Sequence, residues 1–436
     1  MREYLEIEGG YSLSGEIVVS GAKNAVLPAL AATLLAPGRY RFTNWPRLRD
    51  LCTMLELLGH LGARVEVRGE VLEVDTSTVE GMEAPYELVR RMRASILVLG
   101  PLVARFGRAR VAMPGGCPIG KRPVDFHLRG LERLGARITL EHGYILTRAD
   151  EGLRGAEIVF DFPSVTATEN LMMAAVLARG RTEIHNAARE PEVVFLGEML
   201  RAMGARIEGL GTDHLIIHGR NELSPPPAPL SIIPDRIEAG TYLMLPGLIP
   251  AEITLVGAEA AHLETPIARL REAGLEIEVE GNRIHARAGG RLRPLRLATA
   301  PYPGFPTDLQ AQIMALLTRA QGLSFITENL FEKRFQHVFE LRRMGADIEV
   351  DERTAVIRGP VMLQGAEVEA TDLRASACLV LAALSAEGIT RIYGLEHLDR
   401  GYEGMEKKLR ALGARIERKR YEGPASFGPC GPGSGG

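Results

Sequence analysis

The sequence has few cysteines, very little lysine and no long apolar run. Its four cysteines, Cys52, Cys117, Cys378 and Cys430, are scattered through 436 residues without a C-x-x-C pair. That spacing argues against a disulfide framework and against a zinc knuckle, and no metal or other cofactor is expected. No run of about 18 apolar residues occurs and no basic, apolar leader opens the chain, so a soluble cytoplasmic protein with no membrane partner is expected. The formal net charge of -3 offers no general attraction to nucleic acid, and none is expected as a partner. Any basic site must be local. Only 6 of the 52 basic side chains are lysine, which draws attention to Lys23 and Lys121.

What the chain does have is length and repetition. At 436 residues, with 46% apolar and 25% charged side chains, it is a globular chain too long for one ordinary core, so two domains are expected. The pattern L-x-x-[LAM]-G-x-x-[IV] occurs six times, with its glycine at 62, 135, 204, 274, 345 and 413. The copies LERLGARITL, LRRMGADIEV and LRALGARIER show it plainly. Each reads as a helix stopped by a glycine and followed by a strand.

A second helix precedes each copy, as in NAVLPALAATLL, ATENLMMAAVLA and LRASACLVLAAL. These are apolar nearly all round and should be buried, whereas the helices ending at the glycines carry more charge and should lie outside. Six such units of about 70 residues predict an α/β fold with three units in each domain. The proline-rich stretch ELSPPPAPLSIIP at 222–234 marks the joint, near 225–235. The first 21 residues fit either half. The tail after 419 reads as disordered.

Polar residues gather at matching points, the entrances of the buried helices. They are Lys23 and Asn24, Arg90, Arg91 and Arg93, Thr166, Asp235, Asp308, and Asp372 with Arg374. Some read as caps: Thr166 with Glu169, Asp235 with Glu238, Thr307 with Gln310. Capping does not account for Lys23, Arg374 or Arg400. A helix N-terminus prefers anions, so cations placed there point to an anion brought from outside. Two domains turning such ends toward one another would form a charged cleft, held open by like charges until an anion binds. The loop PGGCPIGKRPVD at 114–125 fits that cleft. Its glycines allow a turn, and Lys121 and Arg122 favour the thiolate of Cys117.

These stretches, together with YPGFPTDLQAQ, FEKRFQHVFELRRMGADI and HLDRGYEG, resemble the enolpyruvyl transferase family over residues 1–419, on the branch whose acceptor is UDP-N-acetylglucosamine. The resemblance implies a two-domain inside-out α/β barrel. Residues 22–230 would form the first domain, and 1–21 with 231–419 the second. It implies transfer of the enolpyruvyl group of phosphoenolpyruvate to the sugar 3-hydroxyl, by addition and then elimination through a tetrahedral ketal, with release of phosphate. A monomer with these two small-molecule substrates is expected.

By resemblance, Lys23, Arg122 and Arg400 hold the phosphate, with Arg93, Arg334 and Arg374 around it. Cys117 delivers the proton, Asp308 is the base, Asn24 contacts the sugar, and Asp372 positions arginines. The nucleotide would meet Arg122, Pro123, Val124 and Asp125, the turn Ser164–Val165–Thr166, Glu190 and Asp235. Phe162 and Thr166 depart from the family pattern, which commonly has lysine and glycine there. Transfer to shikimate 3-phosphate is the rival enzyme reading, and a nucleotide-binding repeat scaffold the non-enzymatic one.

Overall fold

The computed structural model describes residues 2–114 and 124–421. Six four-stranded sheets account for its strands. The third shows the common plan. Glu157–Val159 pairs in parallel with Arg181–His185, which pairs antiparallel with His214–His218, which pairs antiparallel with Arg206–Glu208. A buried helix links the first two strands and an outer helix leads to the last two, as in the inside-out α/β barrel.

The chain ends complete sheets begun elsewhere. Leu13–Val18 is the parallel partner of Ala251–Val256 in the fourth sheet, and Arg2–Glu8 lies between Ile389–Tyr393 and Arg415–Tyr421 in the sixth. Leu230–Ser231 returns to pair with Phe42 and Thr43 in the first sheet. The hydrophobic side chains form two cores to match. One runs from Ala22 to Ile232; the other joins Leu5–Val19 to Ile237–Ile416. The chain crosses between them twice, side by side: Ala22 N donates to Ile233 O at 2.7 Å and Asp235 N to Ser20 O at 2.8 Å. The proline-rich stretch also touches the first sheet, where Arg41 donates to the carbonyl of Pro227 at 3.2 Å.

The helices divide as their composition dictates. In Lys23–Ala32 every residue but Asn24 is buried, and in Leu373–Ser385 every residue but Leu373. A helix with no polar stripe is stable only when covered on all sides, and each Leu or Val enclosed there contributes about 1.5–3 kcal/mol. The buried helices of the second and third units, Leu99–Phe106 and Val165–Ala175, touch through Gly100, where a Cβ would lie 2.3 Å from the Asn170 carbonyl oxygen. Helices such as Pro191–Ala202 and Glu264–Ala273 bury one face only. All six repeat glycines adopt positive φ, between 93° and 111°, a conformation that opposes a side chain. Part of the arginine excess has a structural use. Arg201, Arg271, Arg342 and Arg410, each three residues before its glycine, donate Nε to the carbonyls of Ile207, Ile277, Ile348 and Ile416 at 2.8–3.1 Å. The guanidinium reaches past the turn and ties helix to strand, which the lysine point charge does less well.

Candidate active site

The buried helices bring their N-terminal ends to the boundary between the two cores. Lys23 opens the first of them and is 9% exposed. Its Nζ lies 2.7 Å from Asp50 Oδ2. Asp50, 3% exposed, is in the first turn of the outer helix Arg49–His60. The same carboxylate accepts Nε of Arg400 at 2.8 Å and its terminal nitrogen at 3.3 Å. Arg400 belongs to the second half of the chain, so Asp50 ties the halves together. Next to it, Arg49 N donates to Asp399 O at 2.9 Å. Burial pushes the Lys23 ammonium below its usual range, Asp50 opposes this, and Arg400 and Arg374 add to it. Burial would raise the Asp50 carboxyl, but Lys23 and Arg400 outweigh that and hold it low. The asymmetry follows from one carboxylate serving two cations.

A second cluster lies within the other half. Asp308 Oδ1 accepts from Arg334 at 2.7 Å and Oδ2 from Arg374 at 2.9 Å. Arg334 also donates to Thr307 Oγ1, which donates to Glu328 at 2.8 Å. Both arginines are buried, at 6% and 3% exposure. Burial alone would raise the Asp308 carboxyl; Arg374 and Arg334 reverse this and hold it far below the usual carboxylate range. Arg374 sits over the Tyr402 ring, 5.5 Å from its centre. Asp235 lies against the first cluster. It caps the helix Arg236–Tyr242 by accepting from Ile237 N and Glu238 N, and it receives Lys23 N at 3.4 Å. Four cationic side chains, Lys23, Arg334, Arg374 and Arg400, thus face the carboxylates of Asp50 and Asp308, a surplus suited to a multiply charged anion.

A third group crosses the same boundary. Arg236 pairs with Glu192 at 2.9 Å, and Tyr302 N donates to Glu190 Oε1 at 3.4 Å. Burial raises the carboxyls of Glu169 and Glu190. Behind the first half's helix ends, His127 is fixed by a network. Asn170 Oδ1 accepts Gly100 N, so its amide nitrogen must be the donor to Ile96 O and, at 2.9 Å, to His127 Nδ1. That leaves the imidazole proton on Nε2, facing Thr166 Oγ1 at 3.3 Å. Burial, with the charge of Arg93, pushes His127 down to about 3, so it stays neutral.

These cation-rich clusters lie at the boundary between the two hydrophobic cores, and comparison with known proteins gives them a context. The EPSP synthase (3-phosphoshikimate 1-carboxyvinyltransferase) family model matches residues 7–409. The chain is 55% identical over 412 residues to a UDP-N-acetylglucosamine 1-carboxyvinyltransferase of Desulfosudis oleivorans, covering 94% of this chain and 98% of that one. It belongs to the enolpyruvyl transferase family. A relative of the same description from Thermodesulfovibrio yellowstonii is 53% identical, covering 95% and 99%. Among solved structures, the enolpyruvyl transferase NikO from Streptomyces tendae superposes with a TM-score of 0.86 at 29% identity, covering 96% and 99%. An EPSP synthase from Acinetobacter baumannii, at 0.74 and 18%, covering 96% and 100%, shares the fold.

Within this enolpyruvyl transferase, the expected site residues fall into place unevenly. Lys23 and Arg400 meet at Asp50, Arg334 and Arg374 at Asp308, and Asp235 touches the first group. Asn24 is the one residue of its helix left partly open, and Arg93, half-buried, starts the short helix Arg93–Val98. Val124 is buried and Asp125 exposed at the start of Asp125–Arg133. Glu190 stands apart, in the Glu192–Arg236 group. Cys117, Lys121, Arg122 and Pro123 lie outside the described residues.

Three expectations need correction. The cap of Val165–Ala175 is Ser164, whose Oγ accepts Ala167 N. Val165 and Thr166 lie inside the helix, and Glu169 is buried against other carboxylates instead of closing a capping box. Thr307 and Gln310 form no box either, for their side chains turn to Glu328 and to the Arg334 carbonyl. Asp372 does cap its helix, through Arg374 N and Ala375 N at 2.9 and 3.0 Å. The cleft is also not a facing of like charges, because Asp50 and Glu192 stand opposite Arg400 and Arg236. Sequence reading missed both carboxylates, since an acid in the first turn of an outer helix looks like ordinary dipole compensation.

Proposed function

We infer that this chain transfers the enolpyruvyl group of phosphoenolpyruvate to the 3-hydroxyl of UDP-N-acetylglucosamine, releasing phosphate, the first committed step of peptidoglycan synthesis. What carries the reading is the near full-length identity of 55% to a relative with that activity in its name. The cation surplus at Lys23, Arg334, Arg374 and Arg400 supports it, since phosphoenolpyruvate brings a phosphate and a carboxylate and arginine grips both in two-point fashion.

In the addition step the sugar oxygen bonds to C2 of phosphoenolpyruvate while its proton leaves to a base and C3 gains a proton. In the elimination step C3 loses a proton and the C2–phosphate bond breaks. We assign the base to Asp308 and the acid at C3 to Cys117, with Lys23, Arg122 and Arg400 on the phosphate. Clamped by two arginines, Asp308 is a poor base. An anionic substrate that draws Arg334 and Arg374 toward itself would free the carboxylate and raise its basicity, coupling binding to chemistry. Asn24, Arg93 and Asp372 belong to the same site in this reading. The nucleotide side comprises Arg122, Pro123, Val124, Asp125, Ser164, Val165, Thr166, Glu190 and Asp235.

We also read the two cores as two domains, 22–230 and 1–21 with 231–419, in a cytoplasmic monomer. Among the described residues no helix is long and apolar enough to cross a membrane. The family model carries the name of a 3-phosphoshikimate 1-carboxyvinyltransferase, so shikimate 3-phosphate is the rival acceptor. Purified protein given phosphoenolpyruvate should release phosphate with UDP-N-acetylglucosamine and not with shikimate 3-phosphate. Equal or faster turnover with the latter would overturn the assignment.

A further inference from the structure

The outer face of the third sheet, away from the catalytic cleft, carries two histidines and two glutamates in one patch. The period of the strands puts them there. Thr182, Ile184, Leu215 and Ile217 point into the core, so Glu183, His185 and His214 must point out. His185 and His214 are directly opposite in the antiparallel pair, and their rings stack at 4.4 Å. Glu157 is the neighbour of Glu183 on the parallel strand. Donor atoms of Glu183, His185 and His214 all lie within 4.8 Å of one another. Glu183 Oε2 is 2.9 Å from His214 Nε2 and 3.8 Å from His185 Nε2.

We propose that Glu183, His185 and His214 form a binding site for a divalent transition-metal ion of the zinc type, with Glu157 within reach as a fourth ligand. Ligands about 2.0–2.1 Å from a tetrahedral zinc are roughly 3.4 Å apart. The 2.9 and 3.8 Å separations bracket that value, so small side-chain rotations suffice. Two features go beyond a chance meeting of polar side chains. His185 Nε2 is shielded from solvent and forms no hydrogen bond, although it lies 3.2 Å from Glu157 Oε1. It is a ring nitrogen set between two carboxylates, close to both but in hydrogen-bonding geometry with neither. In addition, Arg181 holds the other oxygen of Glu183, Oε1, at 3.0 Å. That orients the carboxylate and leaves Oε2 toward the histidines, as an outer partner of a metal ligand does. Imidazole with carboxylate selects zinc, copper or nickel over magnesium and calcium, which prefer oxygen donors alone. Bound metal would clamp the strands Arg181–His185 and His214–His218, and through Glu157 the edge strand as well. Binding must displace the hydrogen bond between His214 and Glu183.

The test uses the full chain stripped with chelator and dialysed against micromolar zinc or cobalt(II), with millimolar magnesium present. One metal per chain is expected, with cobalt showing weak visible bands and no thiolate charge-transfer band. His185→Ala and His214→Ala should each weaken binding by about tenfold or more, while His218→Ala, on the same face, should not. These side chains lie on the outer face, so unfolding curves in chelator should match wild type. Unchanged metal binding in the first two variants, a thiolate band, or displacement by magnesium would overturn the proposal.

Discussion

Replacing Asp50 by asparagine keeps the shape of the side chain and removes the one carboxylate that Lys23 and Arg400 share. Lys23 is left buried, 2.7 Å from a neutral amide, with Arg400 on the far side. Breaking a buried ion pair by deleting one partner costs about 3–5 kcal/mol. Two features reduce that here. The Arg400 side chain is 32% exposed and recovers some hydration, and Lys23, already pushed low by burial, can give up its proton. The loss should therefore be about 3 kcal/mol, roughly a hundredfold in the equilibrium between tied and opened forms.

The sign of the pH dependence follows. A lysine whose folded pKa lies below its unfolded one destabilises the fold while charged. The unfolded chain then binds more protons, and stability rises with pH through the folded value. The deficit of Asp50→Asn should shrink as pH is raised from neutrality toward the ordinary lysine range. Inorganic phosphate should stabilise the variant more than the wild type, because it supplies the missing negative charge without displacing Asp50. Urea unfolding at several pH values, with and without phosphate, measures both effects. If the variant matches wild type at neutral pH and phosphate acts on both alike, Asp50 is not the counter-ion that ties the halves.

Asp308→Asn should lower turnover by about 10²–10⁴ if the carboxylate is the base. As its folded pKa is depressed, its stabilising effect should be fully present above the unfolded value near 3.9 and fade only in stronger acid; stability profiles of the two proteins should thus run parallel between neutral and mildly acidic pH. Asn170→Ala removes the acceptor of Gly100 N and the donor to His127, and should cost about 2–4 kcal/mol, read by thermal unfolding. Of the thiols, Cys378 is buried and burial pushes its pKa up, so brief alkylation followed by mass mapping should leave it unmodified while Cys117 reacts first; modification of Cys378 in the folded protein would contradict its placement. Arg400→Ala should weaken phosphoenolpyruvate binding, and Arg400→Lys should restore it only in part, since lysine lacks the two-point grip on a carboxylate or phosphate.

Much of this architecture was determined by local chemistry. A glycine in the same pattern, repeated six times, marked the end of each outer helix, because only a residue without a side chain passes easily into positive φ. Helices without a polar stripe had to be interior, and cations at their entrances had to serve something brought from outside. Lys23, Arg334, Arg374 and Arg400 were legible on those grounds or by resemblance. Tertiary structure alone decided their partners. Asp50 is 27 residues from Lys23 and 350 from Arg400, so no local pattern links the three. The repeat pattern could not place the first strand; the sheet it completes does, between Ile389–Tyr393 and Arg415–Tyr421. Thr166 and Glu169 have the spacing of a capping box, yet both lie within a helix that starts at Val165 and is capped by Ser164. Spacing along the chain fixes which side chains share a face; which face meets which, and hence which charge is neutralised, is set by packing of segments hundreds of residues apart.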